Sequence, residues 1–351
     1  MIASGTEFSR RARTATACAM GLLVLACGGG SDDGGATSAA EPSRETATAL
    51  AAPHAAPSRL PRGRAWQGIT AVDVAADGNV ATAFSDGAVR LDKADSQATL
   101  TRGAGTAATA VAFTADGKYL VSVGRDSVAT VWSVATGARL FSLRGHEHAV
   151  RTVAVSADGA FIASAGEETR VLVWNAASGK LAKVLNGHSS FVNSVAFSAD
   201  GKSVASGDAA GAVVLWNLAS GAVRHRLAGH SDEVNSLSFS PDGRTLATAG
   251  EDRRVVLWNV DNGQRVQALD GHAAAVRTVA FSRDGRWLAS AGEDAKVLVW
   301  DTATLALAKT LAGSATSINA LVFDGKRKQE LVAADEGGRV VRWDVATGVS
   351  R

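Results

Sequence analysis

A histidine, a hydroxyl residue and a carboxylate recur together in this 351-residue chain. One such set is His230, Thr248 and Asp252, and a tryptophan, Trp258, follows it. Imidazole, hydroxyl and carboxylate groups are the components of a hydrolase triad. They are also groups that must bond to one another when buried, because an unsatisfied buried polar group costs about 1–3 kcal/mol. The composition of the set leaves both interpretations open.

The spacing favours the structural interpretation. The same four residue types recur 42 positions later as His272, Ser290, Asp294 and Trp300. Gly-His pairs lie at the same interval, and the tryptophans follow the interval at Trp132, Trp174, Trp216, Trp258 and Trp300, with Trp343 one residue late. Self-similarity at a fixed period of 20–50 residues indicates a repeat architecture. A repeated module does not need several active sites, so we expect these sets to hold the modules together.

Each 42-residue unit reduces to four short strands. In the unit that begins at Gly229, "VNSLSFS" alternates polar and apolar residues, which indicates a strand. The segments "TLATAG", "VVLWNV" and "RVQALD" follow, and turns rich in Asp and Gly separate them. Four strands without an intervening helical pattern predict a four-stranded antiparallel blade. The fold class is therefore all-β, a propeller of such blades.

The pattern of "GH", "SPDG" and "WN" or "WD" at this period resembles the WD-repeat β-propeller family. The resemblance implies a hydrogen-bonded tetrad in each blade, formed by the histidine, the hydroxyl residue, the carboxylate and the tryptophan. Two units match at every position, with His230, Thr248, Asp252 and Trp258, and with His272, Ser290, Asp294 and Trp300. A third unit contains His146, Ser164, Glu168 and Trp174. The unit of His188, Ser206 and Trp216 has Ala210 at the carboxylate position, which predicts an incomplete network, and the unit of Ser122, Asp126 and Trp132 has Ala104 in place of histidine.

The six tryptophans at the repeat position indicate six blades, and a degenerate unit precedes them. There Asp77-Gly78 matches the first turn and Leu91 falls at the tryptophan position. The sequence thus predicts a seven-bladed, monomeric propeller over residues 58–351. The chain ends where a fourth strand of the last blade should begin, so we expect "SRLPR", Ser58–Arg62, to supply that outer strand. Pro61 fits such an edge strand.

The N-terminal segment is different in kind. Residues 1–26 combine Arg10, Arg11 and Arg13 with a short apolar run, which is typical of a secretory signal peptide. The sequence "VLAC" resembles a bacterial lipoprotein signal, and the resemblance implies lipidation of Cys27. Residues 27–57 are rich in Gly, Ser, Ala and Thr, so they predict a flexible tether. We therefore expect a chain attached to the bacterial cell envelope by a lipid anchor alone, in the outer membrane on its periplasmic face or at the cell surface.

Charge and cysteine content exclude other classes. The net charge is +2, and residues 1–26 contribute all of it through three Arg and one Glu. A mature chain near neutrality does not predict binding to nucleic acid. The two cysteines are Cys18 and Cys27, so the propeller has no disulfide and no thiol nucleophile. We predict no cofactor and no metal.

The family resemblance implies that the residues that open the first strand of each blade bind partners. These are Arg151, Asn193, Asn235, Arg277 and Asn319, with Phe191 and His148 beside them. Carboxylates in the turn before the third strand, Glu167, Glu251, Glu293 and Asp335, would surround them. The expected function is a protein-interaction scaffold that binds other proteins or peptides on this face.

Two alternatives remain at this stage. A hydrolase-type propeller enzyme would hold a metal or substrate in the channel, but the inward strand positions are mostly Ala, Val and Ser. A carbohydrate- or ligand-binding module would need exposed aromatic residues. The candidates outside the repeated tryptophans are Trp66, Tyr119, Phe161 and Trp287.

Overall fold

Seven antiparallel sheets arranged in a ring form the fold. The computed structural model describes residues 68–93, 95–102, 106–312, 314–324 and 329–350. Its innermost strands, one from each blade, are β1 (Ile69–Val74), β5 (Ala108–Phe113), β9 (Val150–Val155), β13 (Val192–Phe197), β17 (Val234–Phe239), β21 (Val276–Phe281) and β25 (Ile318–Phe323). The second strands are β2 (Val80–Phe84), β6 (Tyr119–Gly124), β10 (Phe161–Gly166), β14 (Ser203–Asp208), β18 (Thr245–Gly250), β22 (Trp287–Gly292) and β26 (Glu330–Asp335).

The outer half of each blade completes the sheet. The third strands are β3 (Ala88–Asp92), β7 (Val128–Ser133), β11 (Arg170–Asn175), β15 (Ala212–Asn217), β19 (Val255–Asn259), β23 (Val297–Asp301) and β27 (Val340–Asp344). The fourth strands are β4 (Gln97–Thr101), β8 (Arg139–Arg144), β12 (Leu181–Asn186), β16 (Val223–Ala228), β20 (Arg265–Leu269) and β24 (Leu307–Leu311). Neighbouring strands in each sheet are consecutive in the chain. The predicted all-β, seven-bladed fold is confirmed.

The ring closes between the last blade and the first. Each innermost strand packs against the innermost strand of the next blade, and β25 packs against β1. Blade 7 has three strands among the described residues, whereas the other six blades have four. The predicted outer strand, Ser58–Arg62, lies outside the described residues, as do the predicted signal peptide, Cys27 and the tether.

The core lies in the seams between blades. Trp174 of blade 3, for example, packs against Val121 and Val131 of blade 2, while Val173 on the other face of β11 packs toward Trp216 of blade 4. Alternate residues of each strand therefore serve two different seams. A blade that buries apolar residues on both faces is stable only between neighbours, and a closed ring provides two neighbours for each blade.

Two faces of the ring differ in their loops. The turns between the first and second strands lie beside the turns between the third and fourth strands, as the bond from the Val260 amide to the Arg244 carbonyl shows. We call this side the Asp-Gly face, because an Asp-Gly pair forms most of its first turns. The opposite side, the histidine face, carries the loops between blades and the turns between the second and third strands.

The first blade corrects one register prediction. Its first turn closes from the Ala75 amide to the Asn79 carbonyl, whereas the turn of blade 3 spans one residue more, from Ser156 to Phe161. Val80 pairs with Asp92, as Ile162 pairs with Trp174 in blade 3. Asp92, and not Leu91, therefore occupies the tryptophan position. The shorter turn shifts the pattern by one residue, and Leu91 packs in the seam toward blade 2.

Candidate interaction face

The tetrads predicted for blades 5 and 6 have all their hydrogen bonds. In blade 5, His230 Nδ1 lies 2.9 Å from the Asp252 carboxylate and Nε2 lies 2.7 Å from Thr248 Oγ1. The Trp258 indole N–H donates to the same hydroxyl at 3.0 Å. Blade 6 repeats the arrangement, in which His272 contacts Asp294 at 3.0 Å and Ser290 at 2.8 Å, and Trp300 donates to Ser290 at 3.0 Å. Because the hydroxyl is the centre of each network, it fixes the second strand against the third.

Blade 3 builds the same network with a longer carboxylate. His146 Nδ1 contacts Glu168 Oε1 at 2.5 Å, and Nε2 contacts Ser164 Oγ at 2.7 Å. The Trp174 indole donates to Ser164 at 2.8 Å. Arg170 also donates to Glu168 through Nε at 2.9 Å. The extra methylene of glutamate is therefore accommodated, and a surface arginine orients the carboxylate.

The blade-4 network is complete, which corrects the prediction based on Ala210. His188 Nδ1 contacts Asp208 Oδ2 at 2.7 Å, and Nε2 contacts Ser206 at 2.6 Å. Asp208 ends β14 at the position that glycine occupies in blades 3, 5 and 6. A Cβ at that glycine in blade 5, Gly250, would lie 2.9 Å from His230 Nδ1. A side chain at this position is thus directed at the histidine, and the carboxylate reaches the ring from two residues earlier in the chain.

Blade 2 replaces histidine with an arginine that the sequence pattern missed. Arg102 Nη1 donates to Ser122 Oγ at 2.6 Å, and Nη2 donates to Asp126 Oδ1 at 2.6 Å. Nη2 also donates to the Val128 carbonyl at 2.5 Å. Its side chain is fully buried. Arg102 lies two residues before Ala104, which occupies the histidine position of the repeat. The long, forked guanidinium bridges the hydroxyl and the carboxylate as the imidazole does elsewhere.

Among the described residues, the end blades have no complete tetrad. In blade 7 the Trp343 indole N–H donates to the Ala312 carbonyl at 3.0 Å, because Ala333 stands at the hydroxyl position. In blade 1, Arg90 pairs with Asp92 at 2.7 Å. The seam of blades 7 and 1 therefore contains charges where the other seams contain a tryptophan.

Burial and hydrogen bonding set the protonation of the tetrads. Burial lowers the pKa of His146 and of His272, more than their carboxylate partners raise it. Burial also raises the pKa of Asp208, Asp252 and Asp294, but hydrogen bonds from histidine and backbone amides outweigh it, so each pKa lies below its ordinary value. The carboxylates are ionised at neutral pH. The hydroxyl residues Ser164, Ser206, Thr248 and Ser290 are inaccessible to solvent, so substrate does not reach them.

The predicted partner-binding residues form a hydrogen-bonded belt around the channel. Apart from Phe191, which precedes β13, each is the second residue of an innermost strand, and most of them bond to the next blade. Asn235 donates to the Val276 carbonyl at 3.0 Å, and Asn319 donates to the Ile69 carbonyl at 3.2 Å across the closing seam. Thr70 and Thr109 occupy the same position in blades 1 and 2 and donate to Ala108 and Val150. This belt is a seam contact that the sequence analysis missed.

The amide members of the belt are largely withdrawn from solvent. Asn193 is 3% exposed and Asn319 is 9% exposed. Asn193 accepts from Arg151 Nη1 at 2.7 Å and donates to Glu233 at 3.3 Å. These amides hold blades together and have little surface available to a partner.

The two arginines and Phe191 are the more accessible part. Arg151 donates to Glu167 at 3.2 Å, and its guanidinium lies 5.8 Å from the centre of the Phe191 ring. Phe191 is 48% exposed. Arg277 bridges Glu251, at 2.7 Å, and Glu293. The face therefore presents one exposed aromatic ring beside paired charges.

One carboxylate of the predicted rim lies elsewhere. Asp335 is buried and accepts hydrogen bonds from Ser314 and from the Arg339 amide. The Glu336 amide donates to the Ser317 carbonyl, as the Glu167 amide donates to the Ala149 carbonyl in blade 3. Glu336 is therefore the rim residue of blade 7. In the described part of the chain no group of three or more His, Cys, Asp or Glu residues is placed to hold a metal ion.

This geometry defines a propeller in which blade networks are buried and the accessible groups lie at one channel mouth. The family described as WD domain, G-beta repeat matches residues 96–133, 137–175, 179–217, 221–259 and 263–301. These matches cover more than half of the chain, so the protein belongs to the WD-repeat family. Each match joins the fourth strand of one blade to the first three strands of the next. A search of curated proteins found no match. No helix within the described residues is long and apolar enough to span a membrane.

Proposed function

We propose that this protein is a non-catalytic interaction scaffold that binds other proteins or peptides on its histidine face. The observation that carries the proposal is the half-exposed ring of Phe191 at the channel mouth, over Arg151. Exposed aromatic and arginine residues on a rigid frame are typical anchors of protein interfaces. Burial of the four histidine–hydroxyl sets supports a structural role for them.

We further propose that the scaffold is lipid-anchored in the bacterial cell envelope. The support is the basic and apolar segment of residues 1–26, the "VLAC" sequence that ends at Cys27, and the Gly- and Ser-rich segment to residue 57. A serine substitution, Cys27→Ser, should abolish incorporation of labelled palmitate and release the protein from the membrane fraction. Unchanged labelling would contradict the anchor.

The docking face is tested with the full chain immobilised and exposed to a bacterial envelope extract. The variant Phe191→Ala should lose a protein that the wild type retains. The matched control is Leu181→Ala, because Leu181 is equally exposed at 47% but lies on the outer strand of blade 3. Both substitutions remove exposed side chains, so neither should change the melting temperature. Equal retention by wild type and Phe191→Ala would exclude this face.

A further inference from the structure

A groove on the Asp-Gly face, between blades 5 and 6, is independent of the face proposed above. Its volume is about 450 Å³, within the usual range of ligand-binding clefts. Its accessible apolar residues are Pro241, Val266, Ala303 and Leu305, above the buried Leu269 and Trp300. The groove extends from the first turns of both blades to the outer strand β20.

Leu305 departs from the pattern of the other blades. It lies in the turn between β23 and β24 with φ 57°. The equivalent turns of blades 2, 3, 4, 5 and 7 have glycine there, such as Gly263 with φ 72°. The left-handed conformation costs a non-glycine residue about 1–2 kcal/mol. The chain thus keeps a strained leucine whose side chain lines the groove.

The seam is also unbridged at its outer end. In blade 4, His225 Nε2 contacts the Asp261 carbonyl of the next turn at 2.9 Å, and in blade 6 Lys309 donates to the Ala346 carbonyl. In blade 2, Phe141 lies against Gly179 of the next turn. The corresponding residue of blade 5, Gln267, is exposed, and its side chain makes no hydrogen bond to described residues. The groove is therefore open where other seams are covered.

Three carboxylates and no basic residue line the groove. Asp242, Asp284 and Asp301 each use Oδ1 to accept hydrogen bonds within their own turns. Their Oδ2 atoms have no hydrogen bond among the described residues. Arg286, which follows one of these turns, stacks over the Trp287 ring at 4.7 Å. Hydrogen bonds from Thr304 and the charge of Arg286 lower the pKa of Asp301. Burial raises the pKa of Asp242, but the hydrogen bond from Ser240 and the charge of Arg244 help to lower it overall. The lining is thus apolar with three carboxylates at its rim, two of them near an arginine.

We propose that this groove binds a protein segment that presents an apolar side chain next to a lysine or arginine. The apolar side chain contacts Val266 and Leu305, and the basic group pairs with the free carboxylate oxygens. Because the rim is anionic, an acidic segment of equal apolarity is repelled. The occupant differs from the partner on the histidine face, so the two sites bind independently.

The experiment uses the full chain and an array of immobilised decapeptides. In one set a central Leu, Ile or Phe is flanked by Lys or Arg; in the second the flanks are Glu; in the third the centre is Ser. The wild type should be retained on the first set at least fivefold more than on the others. Equal retention on the acidic set, or no retention on any set, would overturn the proposal.

Two variants locate the binding. The substitution Val266→Lys adds a cation at a site that is 52% exposed, and it should reduce retention about tenfold. Leu140→Lys is its matched control, because Leu140 is 46% exposed at the same position of the outer strand in blade 2. Asp284→Asn with Asp301→Asn should also reduce retention, whereas Phe191→Ala should not. If Val266→Lys retains the peptides as well as the wild type does, the groove is not their binding site and the proposal is rejected. If Val266→Lys instead abolishes a self-association of the protein, the occupant of the groove is a second copy of the chain, which also rejects the proposal.

Discussion

Single side chains in this protein satisfy one hydrogen-bonding requirement in several ways. The carboxylate of a tetrad is Asp252 in blade 5, Glu168 in blade 3 and Asp208 in blade 4. In blade 2 the imidazole itself is replaced by the guanidinium of Arg102. In each of these blades, a buried hydroxyl is hydrogen-bonded to the tryptophan indole and to the imidazole or guanidinium. The physical constraint is the satisfaction of buried polar atoms and not the identity of the residue.

Asp208 tests this view most directly. Its carboxylate and the His188 ring are both fully buried, so Asp208→Ala leaves His188 Nδ1 without a partner. We expect the free energy of unfolding to fall by about 1–3 kcal/mol in urea titrations. The double variant Asp208→Gly, Ala210→Asp moves the carboxylate to the position used in blades 5 and 6 and should recover most of the loss. An unchanged free energy in Asp208→Ala would show that the contact is dispensable.

Asp73 predicts a dependence of stability on pH. It is buried in the seam of blades 1 and 2, where it accepts a hydrogen bond from the Phe113 amide at 2.8 Å. Burial raises its pKa from 3.8 to about 7, although the hydrogen bonds from the Phe113 and Val74 amides lower it. Because the folded-state pKa exceeds the unfolded one, folding takes up a proton between these values. The contribution of Asp73 to stability is therefore full below about pH 4 and falls as pH rises to about 7, by at most about 1.4 kcal/mol per pH unit.

The measurement compares wild type with Asp73→Asn at pH 5 and pH 8. The asparagine keeps an acceptor for the Phe113 amide and does not ionise. Its stability relative to wild type should increase from pH 5 to pH 8. Asp116→Asn, at an exposed turn of blade 2, serves as the control. Parallel profiles for wild type and Asp73→Asn would contradict a protonated Asp73.

At the scale of the blade, period and alternation predicted the strands because each unit repeats the same burial pattern. The prediction was wrong where a local change of length or position altered the register. One residue fewer in the Ala75–Asn79 turn moved Asp92 to the tryptophan position. The repeat pattern does not indicate the contacts of Arg102 and Asp208, because the pattern compares fixed positions, whereas the reach of the side chain decides the contact. The seam contacts of Asn235 and Asn319 were not predicted, because a sequence does not show which seam a residue faces.

Arg102 organises blade 2 as a unit. Its buried guanidinium joins the Ser122 hydroxyl, the Asp126 carboxylate and the Val128 carbonyl. Lysine provides a single ammonium and cannot span the three acceptors together. We expect Arg102→Lys to accelerate amide hydrogen exchange across β5–β8 while β17–β20 remain unaffected. The control is Arg144→Lys, at the exposed position 42 residues later; equal exchange in the two variants would contradict the role of Arg102.

At the scale of the whole molecule, ring closure decides whether the sheet edges are protected. Six blades have four strands, whereas blade 7 has three among the described residues, with an isolated bridge between Trp343 and Ser350. Each family match begins with a fourth strand and ends with a third. By that order, we expect the strand that completes blade 7 to come from the chain before β1. An uncovered β27 would expose a row of unpaired backbone groups that recruit other chains.

Two truncated chains test the closure, one beginning at Ser58 and the other at Gly68. We expect the first to be monomeric and the second to self-associate in light scattering and to melt at a lower temperature. The cause is the unpaired edge of β27, so substitution of Leu60 by proline in the longer chain should produce the same change. Pro61 already restricts the backbone there, and a second proline removes another amide donor from the strand. If both chains are monomeric and equally stable, residues 58–62 do not complete the seventh blade, and the ring depends on the β25–β1 contact alone.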